Sequence, residues 1–135
     1  MRISSGWASC PTILKRSGKV SGDNCIFCKI AAKKISAKLI YEDDEIVAFD
    51  DIKPQAPVHI VIIPKRHIEK LTDMSAQDAG IFAKMAAAAN IIAKEKRVDS
   101  SGYRLVANCN KDAGQEVFHI HMHLLGGRKL SWPPG

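Results

Sequence analysis

Three imidazoles alternate strictly with apolar residues near the end of the chain, in Phe118-His119-Ile120-His121-Met122-His123-Leu124. Successive side chains of a strand point to opposite faces, so this spacing predicts a strand with the histidines on one side and the apolar residues buried on the other. Two residues of strand advance roughly 6.6 Å, which sets the three rings in a row. Three explanations compete for that row. Alternate histidines can ligate zinc and leave one position open for water, but no carboxylate nearby in sequence offers the outer partner that metal-bound imidazoles need. A solvent-facing sheet would need no chemistry, and it leaves the loop from Asn108 to Glu116 and the Gly126-Gly127 pair unexplained. Nucleophilic attack at phosphorus uses every part. Imidazole is substantially unprotonated near neutral pH, its neighbours donate hydrogen bonds, and Gly114 lets backbone N–H groups approach phosphate oxygens.

Such a row must be held by other elements. Val58 to Ile63 is a near-continuous β-branched run, the pattern of a central strand covered on both faces. His59 inside it, taken alone, reads as a core histidine bonded to the backbone. Lys38–Glu42 and Glu45–Asp50 form a hairpin about Asp43-Asp44, and Pro54-Gln55-Ala56-Pro57 interrupts the next ladder. Ser75 with Asp78 makes a capping-box start for a helix to about Lys96, with Ile81, Phe82, Met85, Ala88, Ala89 and Ile92 on the face that packs against a sheet. The Ala86–Ala89 run is a small-residue contact surface, inside the domain or against a second subunit. Tyr103–Asn108 is a strand leading into a turn-forming loop, and Asp23 or Asn24 caps a short helix through Phe27, Cys28 and Ile30 to about Lys33. The expected fold is α+β: five strands, one long helix and a short N-terminal helix.

At 135 residues the chain suits one domain with one core. The net charge of +6 suggests nucleic acid, but Arg2, Lys15, Arg16 and Lys19 precede the first acid, Asp23, and without them about +2 remains. That is too weak for a phosphate-tracking surface, and basic and aromatic residues do not interleave. No apolar run approaches a membrane span. Four cysteines, at 10, 25, 28 and 109, make a poor disulfide framework and point to a reducing compartment. Residues 1–22 are basic, Ser- and Gly-rich and free of acids, the composition of a flexible tail or of a mitochondrial or other organellar targeting segment. The former leaves a cytoplasmic protein whose domain spans 23–135.

The segment His119 to Leu125 resembles the His-x-His-x-His-x-x motif of the histidine-triad family. The likeness continues in Pro54–His59, Pro64-Lys65-Arg66-His67-Ile68, Gly114-Gln115, and Leu125-Gly126-Gly127-Arg128 through Trp132-Pro133-Pro134-Gly135, together spanning about residues 24 to 135. The ending is similar to the nucleotide-binding branch of that family rather than to its dinucleoside-polyphosphate hydrolases. The resemblance implies a five-stranded antiparallel sheet, a homodimer with paired sheets, and a purine nucleoside phosphoramidase acting on adenosine or guanosine 5′-phosphoramidates and aminoacyl adenylates without a catalytic cofactor. Carried over by residue, His121 is the nucleophile, His123 hydrogen-bonds the scissile phosphate, His119 orients its neighbour, and His59 joins the relay behind them. Asn108, Gly114 and Gln115 hold the phosphate, and Asp51 accepts from the ribose hydroxyls. Phe27, Phe49, Ile30, Ile35 and Ile52 wall the base, and Trp132 belongs to the nucleotide site.

Two features stand apart. Many members carry serine after Gly-Gln, near the leaving group, where this chain has Glu116. A carboxylate there repels an anionic phosphate, and its expected effect is to favour cationic amine leaving groups. Cys25-x-x-Cys28 alone fits a zinc pair, a redox pair or two buried thiols. Similar family members complete a structural zinc site with two histidines, which here are His67 and His119. Outside the phosphoramidase, the alternatives are dinucleoside polyphosphate hydrolysis and a nucleotide-binding scaffold with little turnover.

Overall fold

The structure, a computed structural model, describes residues 24–135. The tail or targeting segment expected at residues 1–22, and Asp23 as a helix cap, lie outside the described residues. The first element is a short helix, α1 (Ile26–Ala31). Its cap is not Asn24 but Cys25, whose Sγ accepts the Cys28 N–H at 3.4 Å. A cysteine is a weak acceptor, and its use here follows from where its sulfur must go, as the site below shows.

Strands β1 (Leu39–Glu42) and β2 (Ile46–Asp50) form the expected hairpin. Asp43 Oδ1 accepts the N–H groups of Glu45 and Ile46, each at 2.8 Å, which is the local reason the chain turns there. β3 (Val58–Pro64) pairs with β2 on one side and β5 (Met122–Gly126) on the other, while β4 (Tyr103–Val106) borders β5. The sheet is antiparallel throughout, in the order β1-β2-β3-β5-β4. β3 is therefore central, and six of its seven residues are buried, as its unbroken apolar run requires.

The long helix α2 (Ala79–Glu95) covers one face of the sheet. A single 3₁₀ turn, Ala76–Asp78, precedes it; Ser75 N–H donates to Asp78 Oδ2 at 2.9 Å, and Arg66 pairs with Asp78 Oδ1 at 2.7 Å. Met85, Ala88, Ala89 and Ile92 meet Ile60, Ile62, Ile120, Met122 and Leu124 in the main core. Two of the four alanines, Ala88 and Ala89, are thus core contacts within the domain. The opposite face carries a smaller cluster of Ile30, Val47, Phe49, Val61 and Ile63 under α1, with the histidines beside it. No helix among the described residues is long and apolar enough to cross a membrane.

The histidine strand is shorter than its alternation predicts. The β3–β5 ladder ends at Ile62↔Met122, so His119 to His121 precede the strand. Pro64 stands where the ladder would continue, and it has no N–H to donate. Ile120 N–H turns instead to Ile68 O at 2.7 Å. The alternation of faces survives: Ile120, Met122 and Leu124 enter the main core and the histidines lie on the other side.

Candidate active site

Leaving the ladder gives the backbone around His119 polar groups to spend on imidazoles. His121 Nδ1 lies 2.8 Å from His119 O, and since a carbonyl only accepts, Nδ1 carries the proton. His119 Nε2 lies 2.7 Å from Pro64 O, so its proton is on Nε2 and its Nδ1 is a lone pair. Gln55 N–H donates to His59 Nδ1 at 3.0 Å, which puts the His59 proton on Nε2. That nitrogen is 2.9 Å from His123 Nδ1 and 3.4 Å from Asp51 Oδ2. His123 then accepts at Nδ1 and carries its own proton on Nε2. One backbone-anchored network has fixed four tautomers.

Two different chemical ends result. Among the described residues no protein group hydrogen-bonds Nε2 of His121 or of His123; the first is a lone pair and the second an N–H donor. Their rings are edge to face with centroids 5.0 Å apart, and Phe27 packs on His121 at 5.1 Å and on His119 at 6.0 Å. Burial holds the pKa of His121 below the ordinary imidazole range, against a partial pull upward from its bond to His119 O. Burial, with help from His121 and His59, lowers His123 to about 4. Burial also lowers His59, with Asp51 opposing. His59 and His123 each accept a hydrogen bond at Nδ1, which only a neutral ring can do, and burial favours the neutral form of His121 as well.

On the far side of His119 lies a second cluster. Its Nδ1 is 3.3 Å from Cys25 Sγ, 3.4 Å from Cys28 Sγ and 3.2 Å from His67 Nδ1, and Cys28 Sγ is 3.3 Å from His67 Nδ1. Ligand atoms about a tetrahedral zinc stand roughly 3.3–3.8 Å apart, given Zn–N and Zn–S bonds of about 2.0 and 2.3 Å. One lone pair facing three polar atoms at that spacing is a cation's environment, and the residues fit a Cys₂His₂ zinc. The Cys25 thiol is pulled well down by its hydrogen bond with Cys28 and by the two histidines, while the same bond and burial push Cys28 up, so the pair holds one thiolate readily. Asp51, His59 and His123 also group closely, but the 2.9 Å between His59 Nε2 and His123 Nδ1 is a hydrogen bond, shorter than the separation of two nitrogens on a tetrahedral zinc.

The other residues singled out in the sequence divide. Phe27 and Phe49 stack edge to face at 5.5 Å beside the imidazoles, and Ile30 lies behind them in the smaller core cluster. Ile52 is 92% exposed, Trp132 80% exposed, and Ile35 lies on the surface. Asn108 is half-buried just beyond β4, and Glu116 is exposed. Gly114 takes the left-handed conformation, φ 84°, that its type allows. The N–H groups of Gly114 and Gln115 are spent inside the loop, on Lys111 O at 2.9 Å and Asn110 O at 3.1 Å. The Gln115 side chain is buried and bonds Asn110 N–H, Glu69 O and Val117 O. Asp51, expected at the ribose, also holds the relay through His59. Sequence reasoning missed the backbone carbonyls of Pro64 and His119, which leave no trace in residue type.

A fold of this order with imidazoles so arranged defines a histidine-triad domain. The family model for the HIT domain matches residues 32–130, and the chain belongs to that family. It is 46% identical over 108 residues to the purine nucleoside phosphoramidase of Escherichia coli, covering 80% of this chain and 91% of that one. An uncharacterised HIT-like protein of Buchnera aphidicola is 48% identical over 108 residues, covering 80% and 95% of the two chains. Among solved structures, a HIT family hydrolase from Legionella pneumophila superposes with a TM-score of 0.82 at 50% identity, covering 83% of this chain and all (100%) of that one.

Proposed function

We propose that this protein is a HIT hydrolase of the nucleotide-binding branch, cleaving purine nucleoside 5′-phosphoramidates and releasing AMP or GMP. The observation that carries the reading is His121 Nδ1–H pinned at 2.8 Å to His119 O, which, with burial favouring the neutral ring, leaves an Nε2 lone pair that no protein group among the described residues takes up. Nε2 attacks phosphorus, the P–N bond to the amine breaks, and the amine leaves with one proton taken from solvent. Water then attacks the same phosphorus, the P–Nε2 bond breaks, and a proton returns to solvent. His123 Nε2–H donates to a phosphate oxygen throughout, and the His59–Asp51 pair keeps that proton in place. Phe27 and Phe49 line the base side, and Asp51 Oδ atoms reach the ribose.

Two further parts belong to this reading. Cys25, Cys28, His67 and His119 hold a structural zinc that supplies rigidity and no chemistry. β4 is an outer strand of the sheet, and all four of its residues are half-buried rather than exposed; pairing of this edge with its copy gives the homodimer. The test is His121→Ala against adenosine 5′-phosphoramidate. Hydrolysis should vanish and AMP binding survive, and quenched wild type should carry a nucleotidyl group on His121. Activity retained in the variant removes the proposed nucleophile, and wild type that binds AMP without turnover supports the scaffold alternative.

A further inference from the structure

We infer that Arg128 is a positioning residue for the imidazole relay, acting through the main chain of Gln55 on the proton of His123. The inference rests on the assignment of His121 and His123 as the pair that meets the phosphate. After β5 the chain turns at Gly127, whose φ is 89° and where a Cβ would lie 3.0 Å from Pro57 Cβ. That close approach lays the turn against the loop holding Pro54 and Pro57. Arg128 then spends every guanidinium nitrogen on main-chain oxygens: Nε and Nη2 donate to Gln55 O at 3.1 and 3.0 Å, and Nη1 donates to Lys129 O at 3.0 Å.

Gln55 is also the residue whose N–H meets His59 Nδ1. It lies outside every strand, between two prolines that cannot join a ladder, so no sheet pairing holds it. Its side chain reaches only a neighbouring carbonyl, Lys53 O, at 3.1 Å. The Arg128 fork is therefore what holds the Gln55 carbonyl, on the side of the peptide unit away from the N–H that meets His59.

The consequence travels through three hydrogen bonds. With the Gln55 N–H in place, His59 must be protonated on Nε2, His123 must accept at Nδ1, and the His123 proton sits on Nε2, aimed at the substrate. If the Gln55 amide swings away, only Asp51 Oδ2, 3.4 Å from Nε2, still favours the proton there, and in part of the population it moves to Nδ1 and leaves a lone pair on Nε2. His123 then satisfies that lone pair from its own Nδ1–H, and its Nε2 becomes a second lone pair. A donor to the phosphate has turned into an acceptor that repels it. Lysine cannot replace the arginine, because one ammonium does not reproduce a planar fork on one carbonyl with a third bond to the next.

The experiment uses full-length protein with ¹⁵N-labelled histidine, in wild type, Arg128→Lys and Arg128→Ala. Two-bond ¹H–¹⁵N spectra near neutral pH read the tautomers of His59 and His123, alongside kcat and KM on adenosine 5′-phosphoramidate. Both rings are expected in the Nε2–H form in wild type and in a mixture including Nδ1–H in both variants. The expected kinetic change is a drop in kcat of about tenfold or more with a much smaller change in KM, since one donor to the reacting phosphate is lost part of the time. Arg128→Lys keeps length and charge, so it supplies the reading if Arg128→Ala does not fold. Pure Nε2–H tautomers in a folded variant overturn the inference whatever its activity. Wild type without phosphoramidase activity, but with tautomers that shift on substitution, instead overturns the catalytic reading and leaves the positioning intact.

Discussion

Acidification gives a direct measure of how the site is built, and His123 is the group to follow. Its pKa falls from 6.5 in a free side chain to about 4 in the folded chain, first because of burial and then because two imidazoles crowd it. The unfolded chain therefore binds a proton that the folded one refuses. The contribution to stability is whole above about pH 6.5, declines as pH falls, and levels off below about pH 4. At 1.36 kcal/mol per pKa unit the full difference is about 3 kcal/mol, of which about 2.5 is lost between pH 7 and pH 4.5. The assay is urea unfolding of wild type and His123→Asn at both pH values. Taking the difference between the two proteins cancels the titrating groups that do not touch His123, including the cysteine cluster, and leaves His123 together with its neighbours His59 and His121. The variant should show the smaller loss on acidification, by about 2.5 kcal/mol. Equal losses in the two proteins would mean that His123 takes its proton as readily folded as unfolded, and the argument for its neutral, donor-bearing state would fail.

Other expectations follow from the same geometry. Protein prepared without a polyhistidine tag should contain about one zinc per chain, and Cys28→Ser should lower both the metal content and the melting temperature; equal metal in the two would exclude the Cys₂His₂ site. Ile92→Ala removes a fully buried contact between α2 and the sheet and should cost about 2–5 kcal/mol in chemical unfolding. Glu116→Ser should weaken any preference for phosphoramidates of cationic amines over neutral ones, read as the ratio of kcat/KM values; an unchanged ratio dismisses the carboxylate as a selector.

Much of the architecture was legible in residue pattern because burial alone dictates it. The β-branched run of β3, the spacing along α2 and the Ser75–Asp78 box all describe one face meeting one core, and the structure has each of them. The histidine alternation gave the right face and too long a strand, because the missing N–H of Pro64 acts through a partner 56 residues away in sequence at Ile120. The Cys25 cap was unreadable for a similar reason: its sulfur is placed by His119, not by local propensity. His59 looked like an ordinary core histidine and is in fact buried and bonded to a backbone N–H, yet its other nitrogen meets His123. Periodicity sees which side of an element is covered. It does not see which carbonyl a ring will find.

The pairing of Val61 with His123 and of His59 with Leu125 places two rings diagonally across adjacent strands. A one-residue slip of β3 would turn His59 into the helix-packed core and send Ile60 outward in its place. A misaligned chain would thus bury a polar ring, expose an isoleucine and break the relay in a single error. The meeting of His59 with His123 needs no step of its own; it is made when the middle of the sheet comes into register.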